Sequence, residues 1–450
     1  MKKICIAVLI LSWAVAGGPL VAAQETSGAL TLTLEECIEM ALEQNPFHLG
    51  TKEKESQARA LVREAAAGFF PSLNAQGMDT LDEKLFVLEF PSFVPGEPPQ
   101  RIKVDFTRDY QFSFSLSLPL YTGGRMTSGY RQANYNLLAT RETIRLSRHE
   151  TVFQVKQAFY GYLLAREFVK VAEESLSLAE GFLKNVRNLY DVGMASKLDL
   201  LQAEVRLANL KPQAIRAKNS LDVSLLGLKT AVGIDLDTPV RIEGELAFAP
   251  LEADAENSVA EALARRPEIL GLDYQSRMAG EMLRMARADH LPTLAIGGAY
   301  NLWADRFNFN RGTWQNYYSI NLVLNFPLFN GLKTQARIAQ SKAALRELEW
   351  NRKGLTETVK FEVRQAVLNY EQARETLVSL EKNVEQALEA VRIAELNYAE
   401  GLATNLDVMT TQLALTQARV NYSQALYDCV ISLAQLEKAV GRERAEGDER

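Results

Sequence analysis

At 450 residues, with 47% hydrophobic and 24% charged residues, the chain is long enough to bury two or three ordinary cores. Its formal net charge of −6, with no basic cluster, argues against a nucleic-acid surface. Only 14 Pro and 26 Gly interrupt that length, which predicts long regular elements.

Lys2 and Lys3 precede an apolar run from Ile4 to Val15, and small residues follow through Val21-Ala22-Ala23. This predicts a secretory signal peptide over residues 1–23, cleaved after Ala23. Its apolar run is too short to span a bilayer, and Cys5 lies too deep in it to carry a lipid. Nothing downstream approaches the roughly 18 uninterrupted apolar residues of a transmembrane helix. The expectation is an exported chain without one. Cys37 and Cys429 are too far apart in sequence for a disulfide framework and read as separate buried thiols.

After a polar lead, Thr33-Leu-Glu-Glu36 forms a capping box that starts a helix running toward Ala67. Asn45-Pro46 must kink or split it. From Pro71 the period changes to two. Tyr110, Phe112, Phe114, Leu116, Leu118 and Leu120 alternate with Gln111, Ser113, Ser115, Ser117 and Pro119, which predicts a strand with unlike faces. A weaker strand candidate covers Leu73 to Phe90, and the Pro-rich segment 91–99 reads as the loop between.

Gly123-Gly124 ends the strands. Residues 125–191 hold no Pro and predict a helix roughly 100 Å long. Its apolar stripe (Thr151, Val155, Ala158, Tyr162, Ala165, Val169, Ala172, Leu176, Ala179, Leu183, Val186, Tyr190) steps by four and three, the pattern of left-handed coiled-coil packing. A turn at Gly193 follows. The returning helix 196–232 contains Pro212, a predicted kink, and stops at Gly233. Residues 234–256 form a linker with a short strand candidate at Val240–Ile242.

The pattern then restarts. Ala41-Leu42 and Pro46 recur as Ala262-Leu263 and Pro267, and Pro71 as Pro292, 221 residues later. Leu118-Pro-Leu-Tyr-Thr-Gly123 recurs as Phe326-Pro-Leu-Phe-Asn-Gly331, and Tyr190, Gly193, Ala195, Leu198 and Asp199 recur as Tyr398, Gly401, Ala403, Leu406 and Asp407, all 208 residues later. The mature chain is thus a tandem duplication. The first repeat spans 24–233, with strand hairpin 71–120. The second spans 257–441, with strand hairpin 292–328, long helix 332–399 and returning helix 404–440. Residues 442–450 read as a disordered tail. Equal long-helix lengths place both turns, the tips, at one level.

The second hairpin repeats the two-faced pattern, with Tyr318, Ile320, Leu322, Leu324, Phe326 and Leu328 opposite Ser319, Asn321, Val323, Asn325 and Pro327. The helices spend their apolar stripes on each other, so these strand faces fit lipid. Tyr121, Phe329, Trp303, Trp314 and Tyr317 sit near strand ends, as an aromatic girdle would. Pro71, Pro119, Gly123, Pro292, Pro327 and Gly331 mark the change from strands to helices. Four strands with bare edges cannot sit in a bilayer. Two copies give eight strands, whose interior side chains would fill, and three give twelve, the smallest closed set expected to leave an open lumen, which points to a homotrimer with its helices continuing the wall as a tube. The fold expected is an α+β membrane protein, a trimeric β-barrel carried on a long α-helical barrel. The rival reading is a secreted coiled-coil scaffold or adaptor, in which protein would cover Phe112, Phe114, Leu322 and Leu324.

The Leu32-Thr-Leu-Glu35 start with Ala41-Leu42 and Asn45-Pro46, the Pro-Leu-Tyr/Phe-x-Gly strand exit, and the Gly-x-Ala-x-x-x-Asp tip, in order and twice over, resemble the TolC-like outer-membrane efflux protein family. That resemblance covers residues 30–441. It implies an outer-membrane channel-tunnel that docks on a periplasmic adaptor and an inner-membrane pump. Adaptor contacts would map to Gly193, Met194, Ala195, Ser196, Gly401, Leu402, Ala403 and Thr404, and the periplasmic gate to Asp407, Tyr398 and Asp199. Tyr398 and Asp199 match a latch pair. This chain has Thr410 where some members carry a second constricting Asp, and Ala403 where some carry a latch Arg. Read locally, Ser196 and Thr404 are helix N-caps with Asp199 and Asp407 as their capping-box partners, a role compatible with a carboxylate ring. His48, His149 and His290 share no ligand spacing, and no nucleophile or phosphate-loop motif is present. No enzyme activity, cofactor or metal is expected.

Overall fold

The computed structural model describes residues 30–81, 86–92, 94–104, 110–252, 254–308, 310 and 312–442. The signal segment 1–23 and tail residues 443–450 lie outside the described residues. In the first half the elements are β1 (Leu30–Leu32), α1 (Leu34–Gln44), α2 (Pro46–Ala67), β2 (Ser72–Asp79), β3 (Phe86–Phe90), β4 (Gln100–Val104), β5 (Tyr110–Tyr121), α3 (Arg125–Asp191) and α4 (Lys197–Val232). The second half holds β6 (Val240–Ile242), α5 (Ala255–Arg265), α6 (Pro267–Ala288), β7 (Thr293–Ala304), β8 (Gln315–Asn325), α7 (Lys333–Ala399) and α8 (Asn405–Val440).

The long helices α3 and α7 have 67 residues each, and their returning partners α4 and α8 have 36 each. Among the described residues no helix is long and apolar enough to cross a membrane.

Local chemistry sets the breaks. Thr33 starts α1: its backbone N–H donates to Glu36 Oε2 at 2.7 Å, and Glu36 N–H donates back to Thr33 Oγ1 at 3.4 Å. At Asn45-Pro46 the missing proline N–H splits the helix into α1 and α2. The Asn45 side chain accepts from Phe47 and His48 N–H, and its amide donates to the Ala231 carbonyl at 2.8 Å. The break is therefore also a weld to the end of α4. Gly233 allows it: its φ is +89°, and a Cβ there would sit 3.0 Å from the Asn45 Cα.

In the second repeat Arg266 takes the place of Asn45. Its guanidinium holds Glu268 at 2.9 Å and Glu362 at 2.5 Å. Around each weld lies a core. One joins Val155, Phe159, Leu163, Leu228 and Val232 to β1 and β6, which pair in parallel. The other joins Val359, Val363, Ala366, Tyr370 and Val440. Cys37 and Cys429 are buried free thiols, pushed up by burial to about 12 and about 11.

The main sheet runs β2-β5-β7-β8, all antiparallel. Its register sorts the side chains. Leu73, Phe114, Leu116, Ile296, Tyr300, Ile320, Leu322 and Leu324 share one face, while Asn74, Ser113, Ser115, Ser117, Asn301, Ser319 and Asn321 share the other. Trp314 packs on Phe112 at one end of the apolar face, with 5.4 Å between ring centroids, but among the described residues the rest of that face stays open: Phe114 is 42% exposed, Leu322 66% and Leu324 68%. Phe114, Leu322 and Leu324 thus lack the protein cover that a scaffold reading needs, and Phe112 has it in part.

Several expectations shift. The arm from Leu73 to Phe90 is two strands, because β3 leaves the main sheet and pairs with β4 around the Pro-rich loop. β8 ends at Asn325, so Phe326, Pro327 and Leu328 lie beyond it, whereas Pro119 stays within β5 at a register shift past the end of β2. Trp303 and Tyr317 fall opposite Gln111 and Asn301, on the polar face rather than in an outer girdle. Pro212 sits inside α4 without ending it. On α3 Thr151, Val155, Ala165, Ala179 and Val186 of the predicted stripe are buried, and elsewhere burial falls one residue away from it, at Phe159, Leu163, Val171, Ser175 and Phe182.

Candidate functional site

The two tips are built alike. After α3, Gly193 turns the chain at φ +80°, and the Met194 N–H donates to the Leu189 carbonyl at 2.7 Å. After α7, Gly401 does the same at φ +74°, and the Leu402 N–H donates to the Asn397 carbonyl, also at 2.7 Å. A side chain is disfavoured at that φ, so glycine is required in both turns. Ala195 and Ala403 follow with matching bonds at 3.2 Å. The turns push Val192, Met194, Leu198, Leu402 and Leu406 into solvent.

Each returning helix opens with a full capping box. Asp199 Oδ2 accepts from Ser196 N–H at 3.0 Å and from Ser196 Oγ–H at 2.6 Å. Asp407 Oδ2 accepts from Thr404 N–H at 2.8 Å and from Thr404 Oγ1–H at 2.6 Å. In both cases one carboxylate oxygen takes both bonds, and among the described residues the other has no hydrogen-bond partner. Asp407 is exposed, and the Thr404 hydroxyl and amide hold its carboxyl below the usual aspartate range. Thr410 turns its hydroxyl back to the Leu406 carbonyl at 2.7 Å and adds no charge.

The tips meet through a small core: Phe182, Val186, Leu200 and Ala203 from the first, Ala394 and Val408 from the second. Tyr398 packs its ring 5.4 Å from that of Phe182. Burial, and secondarily the Asp199 carboxylate, push its hydroxyl pKa up. Tyr398 and Asp199 are therefore neighbours, but among the described residues no hydrogen bond joins them, and the Asp199 carboxylate is held by Ser196. The bond across the tips comes instead from Asn405. Only 3% exposed, it donates its amide to the Asp199 carbonyl at 3.2 Å and to Gln202 Oε1 at 2.9 Å. Further up, Ser175 Oγ and Thr416 Oγ1 lie 2.9 Å apart, and Arg419 pairs with Glu174.

Asn405 and Gln202 were not legible as a pair. They lie 203 residues apart, and Asn405 sits 208 residues from Lys197, so the repeat itself hides the bond. At the other end of the helices, Pro71 and Pro292 directly precede β2 and β7. A Cβ on Gly123 (φ +63°) would stand 2.8 Å from Leu291 Cβ, so this glycine is a close-approach point. Gly331 turns at φ +66° just before α7. Among the described residues no three of His, Cys, Asp and Glu stand where they could share a metal ion.

The family model for outer membrane efflux proteins matches residues 37–234 and 259–442. The chain is 27% identical over 347 residues to the alkaline protease secretion protein AprF of Pseudomonas aeruginosa, covering 74% of this chain and 70% of that one. It is 23% identical over 316 residues to the outer membrane protein TolC of Vibrio cholerae, covering 69% and 70%. The Campylobacter jejuni CmeC outer membrane channel superposes with a TM-score of 0.75 at 16% identity, over 97% of this chain and 94% of that one. The Vibrio cholerae outer membrane protein VceC superposes at 0.74 and 17% identity, over 91% and 96%. Two matched segments, one in each repeat, and a fold shared over nearly the whole length give one answer: the chain belongs to the outer membrane efflux protein family.

Proposed function

We propose that this outer-membrane channel works as a homotrimeric exit duct, joined at its six tips to a periplasmic adaptor and through it to an inner-membrane pump. The observation that carries the reading is the uncovered apolar face of the sheet, with Leu322 and Leu324 about two-thirds exposed. Such a face beside a small polar one fits a barrel wall between lipid and water.

The protomer is a strip with two unlike edges. Its strands end at β2 on one side and β8 on the other, and in its lower half α4 packs on α3, α3 on α8 and α8 on α7. Apolar side chains stand exposed on both outer helices, among them Val205, Ile215 and Val223 on α4 and Phe361, Leu368 and Val378 on α7. Joining one edge to the other in a ring of three supports a twelve-stranded barrel and a continuous helical wall. Exposed Met194 and Leu402 at the glycine turns supply apolar knobs for the adaptor. Three Asp407 carboxylates at the narrow end would favour cations.

The test is fractionation and gel migration. The protein partitions with outer membranes, needs detergent for extraction, and migrates differently before and after heating. Solubility without detergent would contradict the reading. In planar bilayers the channel prefers cations, and Asp407→Asn weakens that preference. An unchanged preference would remove Asp407 from the gate.

A further inference from the structure

At the opposite end from the tips, a cavity of about 310 Å³ sits where strands become helices. Its lining includes Arg125 at the start of α3, Asp289 at the end of α6, and Lys333 and Arg337 at the start of α7. Arg125 Nη1 donates to Asp289 Oδ1 at 3.0 Å, and Arg337 Nη1 donates to Asp289 Oδ2 at 2.8 Å. One carboxylate thus serves two guanidiniums, each of which keeps its other N–H donors. Lys333 is exposed, and its side chain makes no hydrogen bond or ion pair among the described residues. Three cations against one carboxylate leave two positive charges per protomer and six per trimer.

The strand residues lining this cavity fix its side. Thr293 and Asn325 pair with each other and belong to the polar face, in step with Ala295, Gly297 and Asn301. Leu294 and Leu324, on the apolar face, do not line it. The cavity therefore opens to the polar side of the sheet, which is the lumen if the chain forms the proposed trimeric barrel.

We propose that the junction is an oxyanion-binding station in the lumen, formed by Arg125, Lys333 and Arg337 around Asp289, which takes carboxylate or phosphate groups. Guanidinium forks suit such groups because they offer two parallel donors to two oxygens. Asp289 holds the two forks apart and oriented, while Lys333 supplies an uncommitted charge. The lumen would then meet cargo with opposite signs at its two ends, carboxylates at the tips and cations at the barrel.

The experiment is single-channel recording of the full chain in phosphatidylcholine bilayers, with inorganic phosphate replacing chloride on the barrel side. Phosphate lowers the conductance. Lys333→Gln, which has no partner to lose, raises the half-effective phosphate concentration roughly two- to fivefold. The double variant Lys333→Gln/Arg337→Gln raises it more than about tenfold. Replacing phosphatidylcholine by phosphatidylglycerol, without phosphate, leaves the conductance unchanged. A conducting channel insensitive to phosphate, or equally sensitive in both variants, overturns the station. A response to the anionic lipid instead of free phosphate overturns its place in the lumen. Failure to form any conducting channel contradicts the channel reading itself, and is distinct from a channel that conducts but ignores phosphate.

Discussion

In the first repeat α3 packs against α1, α2, α4, α6 and α8, whereas in the second α7 packs against α5, α6 and α8. The two helices have equal length and nearly equal tips, yet one lies in the middle of the strip and the other at its edge. The difference shows in what is buried. On α7 the buried residues Val359, Val363, Ala366, Tyr370, Leu377, Ala387, Val391 and Ala394 keep the four-and-three spacing of one stripe, with Val367 beside it. On α3 burial spreads to Phe159, Leu163, Leu164 and Val171, because neighbours press from several sides. A single hydrophobic period describes a helix packed on one face, and it underdescribes one packed on several.

The sharpest way to break the equivalence of the repeats is at the two helix ends. Gly233→Ala places a Cβ against the Asn45 backbone at an unfavourable φ, and is expected to cost roughly 2–4 kcal/mol. Gly441→Ala has the same φ problem at +77° but its nearest neighbours are 3.5 Å away, so about 1–2 kcal/mol is expected. Denaturant midpoints of the detergent-solubilised protein measure the difference. Equal losses would refute the weld at Asn45.

Tyrosine 370 offers the next contrast. Its hydroxyl donates to the Leu251 carbonyl at 2.9 Å and accepts from the Leu251 N–H at 2.8 Å, while the residue is 1% exposed. Tyr162, 208 residues earlier, is half-buried and has no such bonds among the described residues. Tyr370→Phe is expected to cost about 1–3 kcal/mol and Tyr162→Phe close to nothing in the same assay.

At the tips, Asn405→Ala removes the bonds to Asp199 and Gln202, about 1 kcal/mol per protomer, and on the proposed gate reading is expected to raise single-channel conductance. Lys197→Ala, at the repeat-equivalent position, is expected to leave conductance unchanged. Equal effects from the two would dissolve the asymmetry.

The smallest effect concerns pH. The carboxyl of Asp407 lies below its ordinary value in the folded tip. Its capping contribution is therefore fully present above the unfolded pKa and is lost as pH falls through the lower folded value. Cation preference should persist on acidification through the ordinary aspartate range and fade only below it, read as the reversal potential against pH. Fading already near neutrality would contradict the capping box.

Much of the fold was legible because its signals are local. Asn45-Pro46, the Gly193 and Gly401 turns, the Ser196 and Thr404 caps and the period-two strands each follow from residues a few positions apart. What the pattern could not carry was pairing at long range. β1 was hidden because three residues joined to β6 across the chain have no period of their own. The separate β3–β4 hairpin was hidden because hydrophobicity does not say which strand a strand will join. At the tips the caps were readable, whereas the Asn405–Gln202 bond depends on how two hairpins lie together.

On the proposed reading one face of the sheet meets lipid and the other meets water. Burial of Cys37 and Cys429 leaves a quiet background for single-cysteine labelling with a water-soluble thiol reagent in proteoliposomes. Ser319→Cys, on the polar face, is expected to label through the lumen, and Leu322→Cys, on the apolar face, to stay protected. Equal labelling at both positions would contradict the account.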